Sequence, residues 1–380
     1  MELSFSDNHL REIFRDYYSA FIPNGPEMIS SREIGYIPFG GSMTRHLNIP
    51  THEELKKFVR QKVPRHMYYS AAYYRNSSER NMQDKGWMGS ELIFDLDADH
   101  IKDADKLSYG EILDQVKSHT MRLVEKYLMG DFGFNPEEIK IFFSGGRGYH
   151  VHIVSEKVYA MDADMRREIS NYVRGEGLSI QDIRKTIRHV DIEESGWIGS
   201  FDRYLSSFYS GLHNESENKI LKEIMGSRSS RYAEKISNKV VDRVQRLTIL
   251  STPGIKKYSI MDEDDETVAG QLLNRFVDSN LCEIDSPVTS DLHRLIRLPG
   301  SLHGKTAMMV KQVELDSLGS FNPLTEAIPD PFRTGEEGVE IRTKTSIIMN
   351  NQSFYLNTGK DKLPRYLALY MVASGKAQFI

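Results

Sequence analysis

The stretch Glu91-Leu92-Ile93-Phe94-Asp95-Leu96-Asp97-Ala98-Asp99 is the most informative in the chain. It is an apolar run that ends in carboxylates, the pattern of a buried strand whose end meets a turn or a ligand. Alternate side chains of a strand share a face. Asp95 and Asp97 therefore point one way, and Leu92, Phe94 and Leu96 the other. Carboxylates two positions apart stand roughly 7 Å from each other along such a strand. A pair of that kind can hold two divalent cations roughly 4 Å apart, an arrangement suited to phosphoryl and nucleotidyl transfer. The same residues also suit an acidic strand-to-loop transition, where Asp is common.

A second segment bears on that choice. Lys140-Ile141-Phe142-Phe143-Ser144-Gly145-Gly146-Arg147-Gly148-Tyr149-His150-Val151-His152-Ile153-Val154 runs from an apolar strand through a glycine-rich turn into an alternating strand. Glycines let backbone N–H groups come close to a phosphate. Ser144 can donate a hydroxyl hydrogen bond, and Arg147 can grip a phosphate with two N–H groups. His150 and His152 share one strand face, and His152 is expected to be structural or solvent-facing. An ordinary hairpin with a Gly-Gly turn is the plain alternative.

The third segment, Glu283 to Thr306, contains Asp285, Asp291, His293-Arg294-Leu295-Ile296-Arg297-Leu298-Pro299-Gly300-Ser301-Leu302-His303 and Lys305. Arginines three apart can lie on one side of a helix, so Arg294 and Arg297 are expected there. Glu283 and Asp285 are expected to share a strand face, and any of Glu283, Asp285 and Asp291 could complete a carboxylate trio.

In this order the three segments closely resemble one family, the catalytic (small) subunit of archaeal and eukaryotic DNA primase, with the archaeal branch the better match. The family pattern is an Asp-x-Asp strand, a Ser-Gly-Gly-Arg-Gly-x-His turn, a distant third Asp and the Leu-Ile-Arg-Leu-Pro-Gly-Ser-Leu-His block. Tyr17-Tyr18 with Phe21-Ile22-Pro23, Ser31-Arg32-Glu33-Ile34-Gly35-Tyr36 and Tyr68-Tyr69-Ser70-Ala71-Ala72-Tyr73-Tyr74 add to the likeness, which covers nearly the whole chain and is weakest over about 160–250.

The resemblance implies template-directed synthesis of short primers on single-stranded DNA from nucleoside triphosphates. It selects Asp285 as the third carboxylate beside Asp95 and Asp97, with two Mg²⁺ or Mn²⁺ ions. Ser144, Arg147 and His150 would take the triphosphate. Arg297, His303 and Arg32 match positions that contact the nucleotide, with Lys305 and Arg294 as helpers. A salt bridge to an acid is the alternative for Arg32. The implied partner is a large subunit carrying an iron–sulfur cluster. An end-joining repair polymerase of the same superfamily shares the Asp-x-Asp strand and the glycine turn. A two-metal nuclease and a non-catalytic nucleic-acid-binding subunit are further readings of the carboxylates. The Leu295–His303 block and the triphosphate set favour primase.

The chain departs from the family in one respect. The family places a zinc-binding insertion after the Asp-x-Asp strand, but this chain has a single cysteine, Cys282. His100 and His119 alone make a poor zinc site, so no zinc is expected and helix packing is expected in its place. Cys282 is expected to be buried, and neither a disulfide framework nor a cluster can be built within the chain.

At 380 residues the chain can bury a large core. Its hydrophobic fraction of 39% and charged fraction of 27% are ordinary for a soluble protein. No apolar run reaches membrane-spanning length and the start lacks a signal-peptide pattern, so a cytoplasmic location is expected. With a net charge of -5, any DNA contact is expected to use a local basic patch or to be weak.

Strands interleave with helices, so the class is α/β or α+β. Helical periods occur up to about Tyr18, over 52–60, from a Ser108 cap to about Met129, over 271–279 and after Pro364. Strands are expected over 66–75, 139–143, 149–154, 306–315 and 338–349. Asp262-Glu263-Asp264-Asp265-Glu266 reads as solvated surface. The resemblance implies the primase catalytic fold with a mixed-sheet core, formed by 1–160 and 250–380. A helical insertion is read over 161–249.

Overall fold

A computed structural model describes residues 3–20, 25–101, 104–187, 195–236 and 241–380. The Phe21-Ile22-Pro23 likeness lies outside the described residues. The chain forms two compact units. The first comprises residues 1–124, 134–170 and 283–380, and the second comprises 125–133 and 171–282. The insertion expected at 161–249 is thus not coextensive with the second unit, which also takes in the long helix Glu263–Asn280.

Two four-stranded sheets, with one three-stranded and two two-stranded sheets among the described residues, build the first unit. One runs in the order Lys311–Val313, Ile139–Phe143, Tyr149–Ile153, Leu92–Leu96. The other runs Thr44–Leu47, Ile34–Ile37, His66–Ser70, Leu295–Arg297. Every pairing among the described strands is antiparallel, where a mixed sheet was expected. Strands joined by short turns, such as 139–143 and 149–153, can only pair in this way.

The Asp-x-Asp strand forms as its alternation requires. Leu92, Phe94 and Leu96 are fully buried on one face. On the facing strand Tyr149, Val151 and Ile153 are equally buried. In register, Asp95 lies opposite His150 and Ile93 opposite His152. The other face of the sheet therefore carries the acid and both histidines side by side. Burying this many large apolar side chains at roughly 25 cal/mol per Å² fixes the register, because a one-residue slip would turn Asp95 into the core.

Several helices follow their caps. Ser108 opens Tyr109–Arg122 with a capping box to Glu111, and a π-helical stretch, Leu123–Asp131, extends it. Pro364 stands at the start of Arg365–Ala373, which is buried nearly all round rather than amphipathic. The 66–75 segment breaks into His66–Ser70 and Ala72–Tyr74, which belong to different sheets. Its tyrosines 69, 73 and 74 are buried core residues. The 306–315 strand shortens to Lys311–Val313, and 338–349 splits into Glu336–Ile341 and Thr345–Met349.

The second unit is helical. Trp197 and Phe201 of Gly196–Ser210 pack against Phe276 of Glu263–Asn280. The acidic run 262–266 is not simply solvated surface. Asp262 caps Glu263–Asn280 and completes a capping box with Asp265. Asp265 is fully buried, accepts a hydrogen bond from Tyr232 at 2.8 Å and pairs with Arg246. Among the described residues, no helix is long and apolar enough to cross a membrane.

Arg32 is the main correction to the expected site. It is fully buried and pairs with Glu91, and it donates to the carbonyls of Ser70 and Ala71 at 2.9 and 2.8 Å. Its guanidinium lies 3.7 Å from the Tyr73 ring centre. It ties two sheets together rather than facing a ligand. His152 completes the cluster, with Nδ1 2.9 Å from Glu91.

Burial alone would raise the Glu91 carboxyl, but the Arg32 charge and the His152 hydrogen bond outweigh it and hold the group at about 2. A carboxylate depressed from an ordinary value near 4.5 contributes on the order of 3 kcal/mol above that pH. The contribution is lost as pH falls towards 2. Chemical denaturation at several pH values should therefore show Glu91→Gln several kcal/mol less stable than wild type at neutral pH. The gap between the two proteins should close between about 4.5 and about 2. A gap independent of pH would show that Glu91 is not ionised in the folded chain.

Candidate active site

A cavity of about 540 Å³ lies in the first unit, at the ends of the strands just described. Asp95, Asp97, Ser144, Arg147, His150, Arg297 and His303 all line it, so the structure gathers most of the expected residues. Neither Arg32, for the reason given above, nor Asp285 lines it.

Asp95 lies low in the cavity, its side chain 20% exposed and 3.7 Å from His150 Nε2. Burial first, and then the charges of Asp97 and Asp285, push its carboxyl up to about 7. Asp97 follows in extended backbone and caps a short turn. Asp285 is joined to the same strand end, its N–H donating to the Asp95 carbonyl at 2.8 Å. Glu283 and Asp285 are not on a strand as expected; Asp285 stands at the N-terminus of the short helix Ser286–Ser290. Pro287 sets that helical turn.

The glycine turn sits against these acids. Gly148 is there because nothing else fits: a Cβ would lie 2.1 Å from the Leu96 carbonyl oxygen. Gly145 adopts φ +76°, and a Cβ on it would meet His303 at 2.8 Å. The turn is held from several sides. Ser144 N–H donates to the Gly148 carbonyl at 2.9 Å, Ser144 Oγ accepts from Gly146 N–H at 3.2 Å, and Tyr109 hydroxyl donates to the Gly146 carbonyl at 2.6 Å. Thr306 hydroxyl donates to the Gly145 carbonyl. Arg147 reaches out to Asp99 at 2.5 Å and Asp97 at 3.7 Å.

Arg294 and Arg297 are not on a helix. Leu295–Arg297 is a strand whose partner is His66–Ser70. The pairing brings Arg297 to His66 Nδ1, 2.8 Å away, and to the Tyr68 hydroxyl at 3.3 Å. Burial, then the charges of Arg297, Arg65 and Lys305, drive His66 down to about 3, so it accepts as neutral imidazole. His150 and His303 are likewise driven well below the usual histidine value, burial being the largest cause for each. Both stay neutral at physiological pH. Arg294 lies close enough for its charge to favour ionised Asp95.

Sequence reading missed His66, Tyr109, Thr306, Tyr370, Ser374 and Lys376. His66 adjoins a recognised segment and Thr306 ends one, but Tyr370, Ser374 and Lys376 arrive from the far end of the chain. No spacing rule links them to Asp95.

The donor set suits divalent cations. Asp95, Asp97 and Asp285 are hard oxygen ligands, and burial together with the charges of Asp97 and Asp285 disfavours ionised Asp95, a cost that such cations would relieve. Among the described residues no three acidic, imidazole or thiol groups are already grouped as a metal site. Arg147 balances Asp97 and Asp99 instead. Clustered acids facing serine, arginine and neutral histidines in one cavity define a phosphate-handling enzyme site.

Comparison with known proteins agrees. The family model described as DNA primase small subunit matches residues 94–315. The chain is 44% identical over 355 residues to the DNA primase small subunit PriS of Picrophilus torridus, covering 93% of each chain. It is 37% identical over 377 residues to that of Thermoplasma volcanium, covering 99% of this chain and 98% of the relative. For Thermoplasma acidophilum the identity is 37% over 369 residues, covering 97% and 99%. The chain belongs to the DNA primase small-subunit family. It is a catalytic primase subunit, a nucleotidyltransferase of DNA replication, and the chemistry of this family depends on metal ions.

Proposed function

We propose that the cavity takes a nucleoside triphosphate together with two Mg²⁺ or Mn²⁺ ions. A 3′-hydroxyl attacks the α-phosphate there, and pyrophosphate leaves. Asp95, Asp97 and Asp285 would hold the ions. Ions held there would supply charge that lowers the pKa of the attacking hydroxyl and balances the leaving phosphates. One observation supports the reading best. Asp95 and Asp97 line one cavity with Ser144, Arg147 and Lys305, and the Asp285 N–H is bonded to the Asp95 carbonyl at 2.8 Å.

The chain's own groups bind and orient the nucleotide. The Ser144 hydroxyl is free to turn its proton to a phosphate oxygen while still accepting from Gly146. Arg147 can exchange its acids for phosphate, with two N–H groups aligned at once. Neutral His150 and His303 can each donate one N–H without adding charge. Arg297, fixed by His66 and Tyr68, and Lys305 supply further positive charge.

A single-stranded DNA template and a large subunit with an iron–sulfur cluster complete the reading. Buried Cys282 alone could not ligate such a cluster. Zinc plays no part in it, and the enzyme works in the cytoplasm. In this reading the catalytic core draws on 1–160 and 250–380 and the insertion on 161–249, and the second compact unit takes residues from both ranges.

The test is primer synthesis on unprimed single-stranded DNA. The full chain and its large subunit are supplied with labelled nucleotides and Mg²⁺ or Mn²⁺. Short products are expected, and they should disappear on chelation and in Asp95→Ala. Equal synthesis by a folded Asp95→Ala protein would overturn the reading.

A further inference from the structure

The C-terminal residues contribute a wall of the cavity that no motif announces. Tyr370 lies in the helix Arg365–Ala373, and Ser374 and Lys376 follow in the turn that leads to the strand Ala377–Phe379. The Lys376 backbone is fixed. Its N–H donates to the Met371 carbonyl at 2.8 Å, and its carbonyl accepts from the N–H groups of Arg342 and Thr343 at 2.8 and 3.2 Å.

The side chain of Lys376 is half-buried, with Nζ 5.4 Å from the Tyr370 ring centre. Among the described residues it makes no ion pair. Burial lowers its pKa below the usual lysine value, and no carboxylate acts to restore it.

Tyr370 packs on Tyr109 at 5.6 Å, and Tyr109 holds the carbonyl of Gly146. The charge of Arg147 acts on both tyrosines. Lys376 therefore belongs to the end of the cavity that holds Arg147 and the glycine turn. The cations already there are engaged: Arg147 with Asp97 and Asp99, Arg297 with His66 and Tyr68. Lys305 and Lys376 are the lysines of this cavity. A half-buried ammonium without an anion is costly to keep, and a polyphosphate is the anion that the proposed function brings to this cavity.

We propose that Lys376 is a substrate-binding residue that contacts the phosphate chain of the incoming nucleotide, so that the C-terminal turn completes the triphosphate subsite. The proposal rests on the reading above, that the cavity takes a nucleoside triphosphate.

The test uses the full chain with its large subunit, extending a primed template. Lys376→Met removes the charge and keeps the stem that packs on Tyr370, while Lys376→Arg restores the charge. Lys376→Met is expected to raise the nucleotide KM about tenfold or more, with a much smaller change in kcat and none in the KM for DNA. Its affinity for a nucleoside monophosphate should match wild type, and Lys376→Arg should recover most of the loss. Exposed Lys344→Ala should change nothing. An unchanged nucleotide KM in Lys376→Met overturns the proposal. So does a rise confined to the KM for DNA, which would assign Lys376 to a nucleic-acid backbone phosphate. Arg147→Ala separates the two levels of inference. If it weakens triphosphate binding while Lys376→Met does not, only the role of Lys376 fails. If neither affects it, the nucleotide reading of the cavity fails as well.

Discussion

Asp97→Ala is expected to lower nucleotide incorporation on the order of 1,000-fold or more while leaving a folded protein. The carboxylate is about one-third exposed and takes part in no core packing. Its removal also lessens the repulsion that raises Asp95. Folding stability should thus change by about 1 kcal/mol or less. On the reading proposed above, catalysis would lose a ligand for the ions that balance charge in the transition state, an effect worth several kcal/mol. Primer-extension rates measured beside thermal unfolding check both halves. Normal extension by a folded Asp97→Ala protein would remove the basis of the metal-dependent mechanism proposed here.

Gly148→Ala is expected to have the next largest effect, although it removes no functional group. The added Cβ would stand 2.1 Å from the Leu96 carbonyl oxygen and 3.0 Å from Asp97 Cα. Both contacts are with backbone, so no side chain can swing aside. The glycine turn and the strand end must separate, which moves Ser144 and Arg147 relative to the carboxylates. Overpacking of this kind costs about 2 kcal/mol or more, and a displacement near 1 Å at reacting groups can cost about 100-fold in rate. Melting temperature and extension rate should fall together. An unchanged rate would show that the turn and the strand end need not meet so closely.

The part of the site carried by local pattern was legible in the sequence. Period-two alternation places Asp95 on the face opposite Phe94, and an apolar run before Ser144-Gly145-Gly146 marks the hairpin. Both follow from neighbouring residues. Arg32 was misjudged because nothing local tells a ligand-facing arginine from one buried against Glu91, 59 positions away. Arg294 and Arg297 satisfy a helical spacing, but the pairing of Leu295–Arg297 with His66–Ser70 overrides it. That pairing joins segments far apart in the chain, which periodicity cannot report. Asp265 looked solvated within its acidic run, and only the approach of Tyr232 and Arg246 makes it a buried acceptor. Lys376 shows the same limit most clearly, since tertiary packing alone brings it to the cavity of Asp95.

We propose that Asp95, Asp97 and Asp285 together hold catalytic cations beside a bound triphosphate. Electron paramagnetic resonance of Mn²⁺ tests it most directly, with the full chain and a non-hydrolysable nucleoside triphosphate. About two bound ions per chain are expected, with loss of bound Mn²⁺ when any of the three aspartates is replaced by Ala. Absence of bound Mn²⁺ in the wild type, or full retention in all three variants, would contradict the assignment.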